Sequence, residues 1–165
     1  TLWAKSYSSP SRKGSRPSTP CAISIPDLPS RSQLRRELGV AEDALVLICV
    51  GRLVPGKRFD VALQFASDFQ TARPKVLIVV GDGPLRVELQ QRFPAVHFKG
   101  QLARDLTLRW LGAADVLVAA SRLEGAPTVI REARALGTEV WCGPVADVAL
   151  WADSDPGIVI EPGLA

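Results

Sequence analysis

The chain of 165 residues, 47% hydrophobic and 22% charged, has enough apolar material for one domain with a real core. No run approaches the roughly eighteen apolar residues of a membrane-spanning helix, and the first twenty residues lack the apolar block of a signal peptide, so a cytoplasmic setting is expected. The formal charge of +3 does not argue for nucleic acid as a partner: Lys5, Arg12, Lys13 and Arg16 lie in an acid-free leader, and without them 16 basic residues face 17 acidic ones.

In chain order, residues 1–20, "TLWAKSYSSPSRKGSRPSTP", are Ser-, Pro- and cation-rich with little to bury, and read as an extended leader or linker. Trp3 and the cations would also suit a weak contact with an anionic membrane surface. Residues 21–165 form the expected domain, and the lack of any methionine, even at position 1, suggests a piece of something longer. Cys21, Cys49 and Cys142 are far apart without a CxxC pair, which favours free thiols in a reducing compartment over a disulfide framework or a zinc site. "SRSQLRRELGV" predicts a short helix ending at Gly39. The continuous apolar run at 44–50, "ALVLICV", predicts a strand buried on both faces, and 59–72 carries Val61, Leu63, Phe65, Ala66 and Phe69 at roughly helical spacing. "KVLIVVG", "AVHFKG", "DVLVAAS", "EVWC" and "GIVIEP" follow as strands, with "PLRVELQQRF", "ARDLTLRWLGAA" and the stretch after Pro127 as helices. This alternation predicts an α/β fold, a doubly wound, Rossmann-like parallel sheet that binds ligands where its strands turn into helices.

Five loops therefore carry the chemistry. In "VGRLVPGKRFD", Gly51 and Gly56 permit close backbone approach, while Arg52 and Lys57 put two cations on one loop, a match for a diphosphate. A turn with solvated basic residues fits the same string. It is not a Walker loop, because Arg58 stands where the magnesium-binding Ser or Thr would be. In "VVGDGPLR", Gly81 and Gly83 follow a strand as in a dinucleotide fingerprint, but Arg86 takes the third glycine's place; the glycines are read as a loop near a ligand, with Pro84 in the first helical position. "KGQ" is the loop after the third strand, a strand in which His97, the single histidine, reads as packing or rim, and "GPVAD" is the loop after the fifth.

The remaining loop, "SRLEGAPTVIREARALGTEV", holds Glu124 before and Glu132 within a helix that Pro127 would open. Amides around Thr128 and Val129 would face an anion. Around that helix Val129, Ile130, Ala133 and Leu136 form the buried stripe, with Arg131, Arg134 and Ala135 opposite. Glu132 falls at the stripe's edge on the flank of Thr128, able to face a cleft and accept from hydroxyls such as those of a ribose. Alternatively, Glu124 serves the helix dipole and Glu132 pairs with Arg131 or Arg134 on the surface.

Taken in order and spacing, "GRLVPGKR", "VVGDGP", "VHFKGQ", "AADVLVAASRLEGAPTVIREARALGTEV" and "GIVIEP" resemble the C-terminal domain of GT-B glycosyltransferases of family 4, also called glycosyl transferases group 1, over about residues 22–163. The resemblance implies a retaining transferase of two Rossmann-like domains, with the nucleotide-sugar donor (UDP, GDP or ADP type) in this one and the acceptor, a glycan or lipid, mainly in an N-terminal domain that the chain lacks. By it, Glu124 and Glu132 match the E-x7-E acids, facing donor sugar and ribose respectively. Arg52 and Lys57 match the pair that stabilises the departing diphosphate, with no cofactor or obligatory metal. The backbone of Gly125, Ala126, Pro127, Thr128 and Val129 would meet sugar and phosphates; Lys99 to Gln101 would border the base. The full-length enzyme could sit peripherally on a membrane, and the chain alone would bind donor but transfer poorly. A binding-only, regulatory nucleotide-sugar module is the alternative. The chain departs from the family pattern at "CGPVADVALWADSD", Arg131 and "ISIPD".

Overall fold

Strands form where apolar runs are short and bounded by Gly, Pro or charge. The computed structural model describes residues 23–121 and 128–165. It has β1 (Leu45–Val50), β2 (Lys75–Val80), β3 (His97–Phe98), β4 (Val116–Ala119), β5 (Glu139–Cys142) and β6 (Ile158–Ile160) in one sheet, ordered β3-β2-β1-β4-β5-β6. Every pairing is parallel, with β1 and β2 in register from Leu45 against Lys75 to Val50 against Val80. Parallel strands need crossovers, which helices supply. These are α2 (Phe59–Asp68), α3 (Arg86–Arg92), α4 (Arg104–Ala113), α5 (Thr128–Ala135) and α6 (Ala146–Ala152), with α1 (Arg31–Leu38) preceding the sheet. The expected doubly wound, Rossmann-like architecture is what forms.

Each face of the sheet has its own core. Leu45, Leu47, Cys49, Val79 and Val116 pack with Phe59, Leu63 and Ala66 of α2 and Leu89 of α3. On the other face Val46, Ile48, Ile78 and Leu117 meet Leu108 and Leu111 of α4, Ile130 and Ala133 of α5 and Val148 of α6. Coverage on both sides is why β1 and β4 are apolar throughout rather than alternating. Among the described residues, no helix is long and apolar enough to cross a membrane.

The ends of elements differ from the sequence pattern for local reasons. α2 stops at Asp68, short of residue 72, where the Lys75 ammonium donates to the carbonyls of Ala66 (3.0 Å), Ser67 (2.6 Å) and Phe69 (2.9 Å). That burial lowers the lysine's pKa. Pro84 lies in a turn ahead of α3 rather than in its first position. α6 occupies a segment read only as a loop and its continuation.

Arg134 corrects the expected helical wheel. It is buried in α5, with Nε 2.8 Å from Asp155 Oδ2, Nη2 2.8 Å from Asp155 Oδ1 and Nη1 donating to Thr138 O. A helix with two neighbours has no single solvent face, and the acid 21 residues away makes burial tolerable.

Candidate functional site

The strand order reverses between β1 and β4, so the loops after these strands diverge and leave a crevice at the carboxyl edge. It is lined by Val50, Lys57, Phe59, Ser121, Val129 and Cys142, among others, with a cavity volume of about 50 Å³. That is room for a phosphate-sized group or a few waters rather than a whole nucleotide.

The first wall begins at Gly51. Its amide donates to Val80 O (3.0 Å), Leu53 N to Asp82 O (2.9 Å) and Leu85 N to Leu53 O (3.1 Å), lacing the loops after β1 and β2 together. A Cβ on Gly81 would lie 1.9 Å from Gly51 O, and one on Gly83 2.6 Å from Leu53 O. Loop-on-loop packing thus requires glycine at both positions before any ligand is considered. Asp82 closes this corner by accepting from Gly83 N and from Arg86 (both 2.8 Å), and its carboxyl lies below the usual range because of the Gly83 amide first and Arg86 next.

Beyond Leu53 the chain makes a tight 3-10 turn, Pro55–Lys57, and enters α2 through Arg58, whose φ of 50° is the single positive value outside glycine among the described residues. This places Lys57 in the crevice and leaves Arg52 exposed on the loop before it. Burial lowers the Lys57 pKa, because the charged ammonium loses part of its hydration.

The second wall is the start of α5. Thr128 is exposed, Val129 lines the crevice, and Ile130, Ala133 and Leu136 are buried as the periodicity predicts. The first amides of a helix have no intrahelical acceptor, so this end offers donors at the crevice. Glu132 is buried, and its partner is neither Arg131 nor Arg134 but Arg104, the first residue of α4. Arg104 Nε and Nη2 approach Glu132 Oε1 at 3.1 and 2.9 Å. Glu124, Gly125, Ala126 and Pro127 lie outside the described residues.

Lys99 and His97 are both exposed at the β3 end, the Lys99 ammonium standing 4.8 Å over the Trp110 ring. Cys49 and Cys142 are buried free thiols, pushed up by desolvation to about 12 and about 11, which keeps them protonated and unreactive. Among the described residues no group of three or more His, Cys, Asp or Glu could hold a metal ion.

Two groups at this edge escaped sequence reasoning. Ser121, at the end of the β4 run, has a buried hydroxyl with no hydrogen-bond partner among the described residues. Its signal was available: it is the first polar residue after the apolar strand β4. Arg104 had none, being 28 residues from the acid it holds.

Residues 44–165 match the family model described as "Glycosyl transferases group 1". The chain is 33% identical over 133 residues to a putative teichuronic acid biosynthesis glycosyltransferase, TuaC, of Bacillus subtilis, covering 81% of this chain and 33% of that protein. It is also 33% identical over 146 residues to a D-inositol 3-phosphate glycosyltransferase of Thermomonospora curvata, covering 78% and 34%. Among solved structures, HepE of Anabaena in complex with UDP matches with a TM-score of 0.57 at 28% identity, over 70% of this chain and 34% of that one. WaaG, a glycosyltransferase involved in lipopolysaccharide biosynthesis, matches with a TM-score of 0.63 at 25% identity, over 84% and 39%. The chain thus spans about a third of the length of the curated relatives it matches. With a family match over most of its length and a fold shared with GT-B glycosyltransferases, the chain belongs to the group 1 glycosyltransferases.

Proposed function

We propose that this chain is the donor-binding half of a retaining glycosyltransferase, which takes a sugar from a UDP, GDP or ADP carrier and passes it to a glycan or lipid-linked acceptor held by a second domain. Residues 21–165 would be the donor domain and 1–20 a linker. The observation that carries this reading is the crevice at the strand-order reversal, with Lys57 in one wall and the first turn of α5 in the other. A cation and a set of helix amides facing one opening suit a diphosphate. HepE was solved with UDP, with UDP and glucose, and with UDP-glucose, which supports a nucleotide sugar here as well.

In the reaction the bond between the anomeric carbon and the distal phosphate oxygen breaks, its electron pair leaves with the nucleoside diphosphate, and the acceptor hydroxyl bonds through its oxygen to the same face of that carbon while its proton passes to the departing phosphate oxygen. Arg52 and Lys57 would stabilise the charge arriving on the leaving group. Lys57 suits this because it lines the crevice and its ammonium is partly desolvated, so its attraction for an anion there is screened less than in bulk water. Glu132 would hold ribose hydroxyls, Glu124 would face the sugar, and the backbone from Gly125 to Val129 would meet sugar and phosphates. The turn from Lys99 would border the base, with Gly51, Gly81 and Gly83 shaping the loops between. The chemistry would need neither cofactor nor metal.

Calorimetric titration of UDP, GDP, ADP and the free nucleosides into the protein and its Arg52→Ala and Lys57→Ala variants tests the reading. Each variant is expected to lose about tenfold or more in affinity for the preferred diphosphate and less than about twofold for its nucleoside, as charge-assisted contacts would dictate. Equal losses for both ligands would remove the phosphate role, and a folded protein indifferent to all three diphosphates at millimolar concentration would end the proposal. Adding an acceptor domain and following anomeric configuration by NMR separates a retaining transferase, which turns over, from a binding-only module, which does not.

A further inference from the structure

The structure assigns Arg104 as a positioning residue, which fixes the Glu132 carboxylate by one oxygen and keeps the other available for a vicinal diol of the ligand. This rests on Glu132 being the ribose-binding acid. Two of the three guanidinium nitrogens converge on Oε1, Nε at 3.1 Å and Nη2 at 2.9 Å, and Oε2 makes no hydrogen bond among the described residues. An arginine offered a free carboxylate usually takes both oxygens in a fork.

That saturated form occurs two residues further along the same helix. Arg134 places Nε on Asp155 Oδ2 and Nη2 on Asp155 Oδ1, both at 2.8 Å, and Gly157 N adds a third bond to Oδ1 at 2.9 Å. With both oxygens occupied and the pair buried, Arg134 and Asp155 can only hold structure together. Arg104 and Glu132 are arranged differently: the acid's side chain is 10% exposed and the arginine's 58%. The carboxylate is set inward and the cation reaches it from solvent.

Nothing in α4 itself asks for an arginine there. Arg104 is its first residue, at the positive end of the helix dipole, where a cation is disfavoured, and Ala103 before it provides no side-chain cap. With the arginine mostly in solvent, its attraction to the inward carboxylate is screened and contributes modestly to stability. The pair does lie at the carboxyl edge of the sheet, where α4 and α5 both begin, beside the turn from Lys99. A carboxylate free to rotate would have to be ordered on binding; one already held by the Nε hydrogen bond and the neighbouring Nη2 presents its remaining oxygen at little further entropic cost.

The test compares UDP with 2′,3′-dideoxy-UDP in calorimetry on the wild type, Arg104→Ala, Arg104→Gln, Arg104→Lys and Glu132→Ala, with thermal melts confirming that each variant is folded. The wild type should prefer UDP. Arg104→Ala should weaken UDP about tenfold and the dideoxy analogue less than about twofold, Arg104→Gln should do the same, and Arg104→Lys should recover only part of the preference, since an ammonium lacks the planar fork. If Glu132→Ala abolishes the preference while Arg104→Ala and Arg104→Gln keep it whole, Arg104 is a surface charge and the inference fails with the ribose reading intact. If Glu132→Ala keeps it too, or the wild type never discriminates, the ribose reading falls and the inference with it. Tighter UDP binding by Arg104→Ala would make the arginine an obstruction and overturn the assignment.

Discussion

Ser121 shows what a single atom can say about a site. Its Oγ is buried at the mouth of the crevice without a hydrogen-bond partner among the described residues, a situation that costs about 1–3 kcal/mol in a folded protein. Replacing it by alanine removes that cost and leaves almost the same shape. Ser121→Ala is therefore expected to melt at the same temperature as the wild type or a few degrees higher, while binding a nucleoside diphosphate sugar several-fold more weakly, the hydroxyl having lost its chance to bond a phosphate or sugar oxygen. Opposite signs in the two measurements distinguish a ligand contact from packing; a destabilised variant with unchanged affinity would make Ser121 a packing residue. Residues such as Lys57 were legible in the sequence because loop position after a strand and charge type both survive in a one-dimensional string. Arg104 was not, because helical spacing reports neighbours within one element and its acid belongs to another.

At the scale of elements, the strands were legible and some helix faces were not. Six mainly apolar runs bounded by Gly, Pro or charge predicted six strands, since a strand covered on both faces favours apolar residues along most of its length. The face of α5 was misread at Arg134 because periodicity cannot show that Asp155 and a glycine lie beneath it; a Cβ on Gly157 would fall 2.1 Å from the Arg134 guanidinium carbon. α6 was missed although Val145, Val148, Trp151 and Ala152 have helical spacing and pack on the core, because Gly143-Pro144 drew attention to the turn. β5 opens on an unexpected acid, Glu139, which accepts from Trp141 Nε1 at 2.6 Å. Burial raises its pKa from an ordinary 4.5, outweighing Trp141 and Arg134, which lower it, with Asp115 and Glu161 adding to the rise. The folded state therefore binds the proton more tightly than the unfolded one, and this group's contribution to stability falls as pH rises from about 4.5 through the raised value. Glu139→Gln keeps an acceptor for the indole and removes the charge. Its urea midpoint should exceed that of the wild type near pH 7.5 and converge on it toward pH 4.5; a gap independent of pH would refute the linkage.

Across the whole molecule, the two edges of the sheet divide stability from binding. The crevice, Lys57 and the Arg104–Glu132 pair stand at the carboxyl edge, while the amino edge is tied by Asp115, just ahead of β4. Asp115 is 2% exposed and meets Arg31 at 3.3 Å, Arg35 at 2.8 Å and Arg73 at 3.6 Å, and it accepts from Val46 N at 2.9 Å. Arg35, equally buried, also donates to the carbonyls of Ala113, Glu42 and Ala44, so one cluster joins α1, the end of α4 and the start of β1. Neutralising the acid leaves the Arg35 guanidinium buried without its counter-charge, which typically costs about 3–5 kcal/mol, against a total stability of about 5–15 kcal/mol for a domain. Asp115→Asn should therefore lower the urea midpoint steeply with an unchanged slope, since the surface exposed on unfolding stays the same. Binding answers to the other edge, so the fraction of Asp115→Asn that remains folded should hold a nucleoside diphosphate as tightly as the wild type. Lys57→Ala should give the mirror image, a near-native midpoint with weakened binding. If Asp115→Asn instead loses affinity in its folded fraction, the two edges communicate through the strands and the division is wrong.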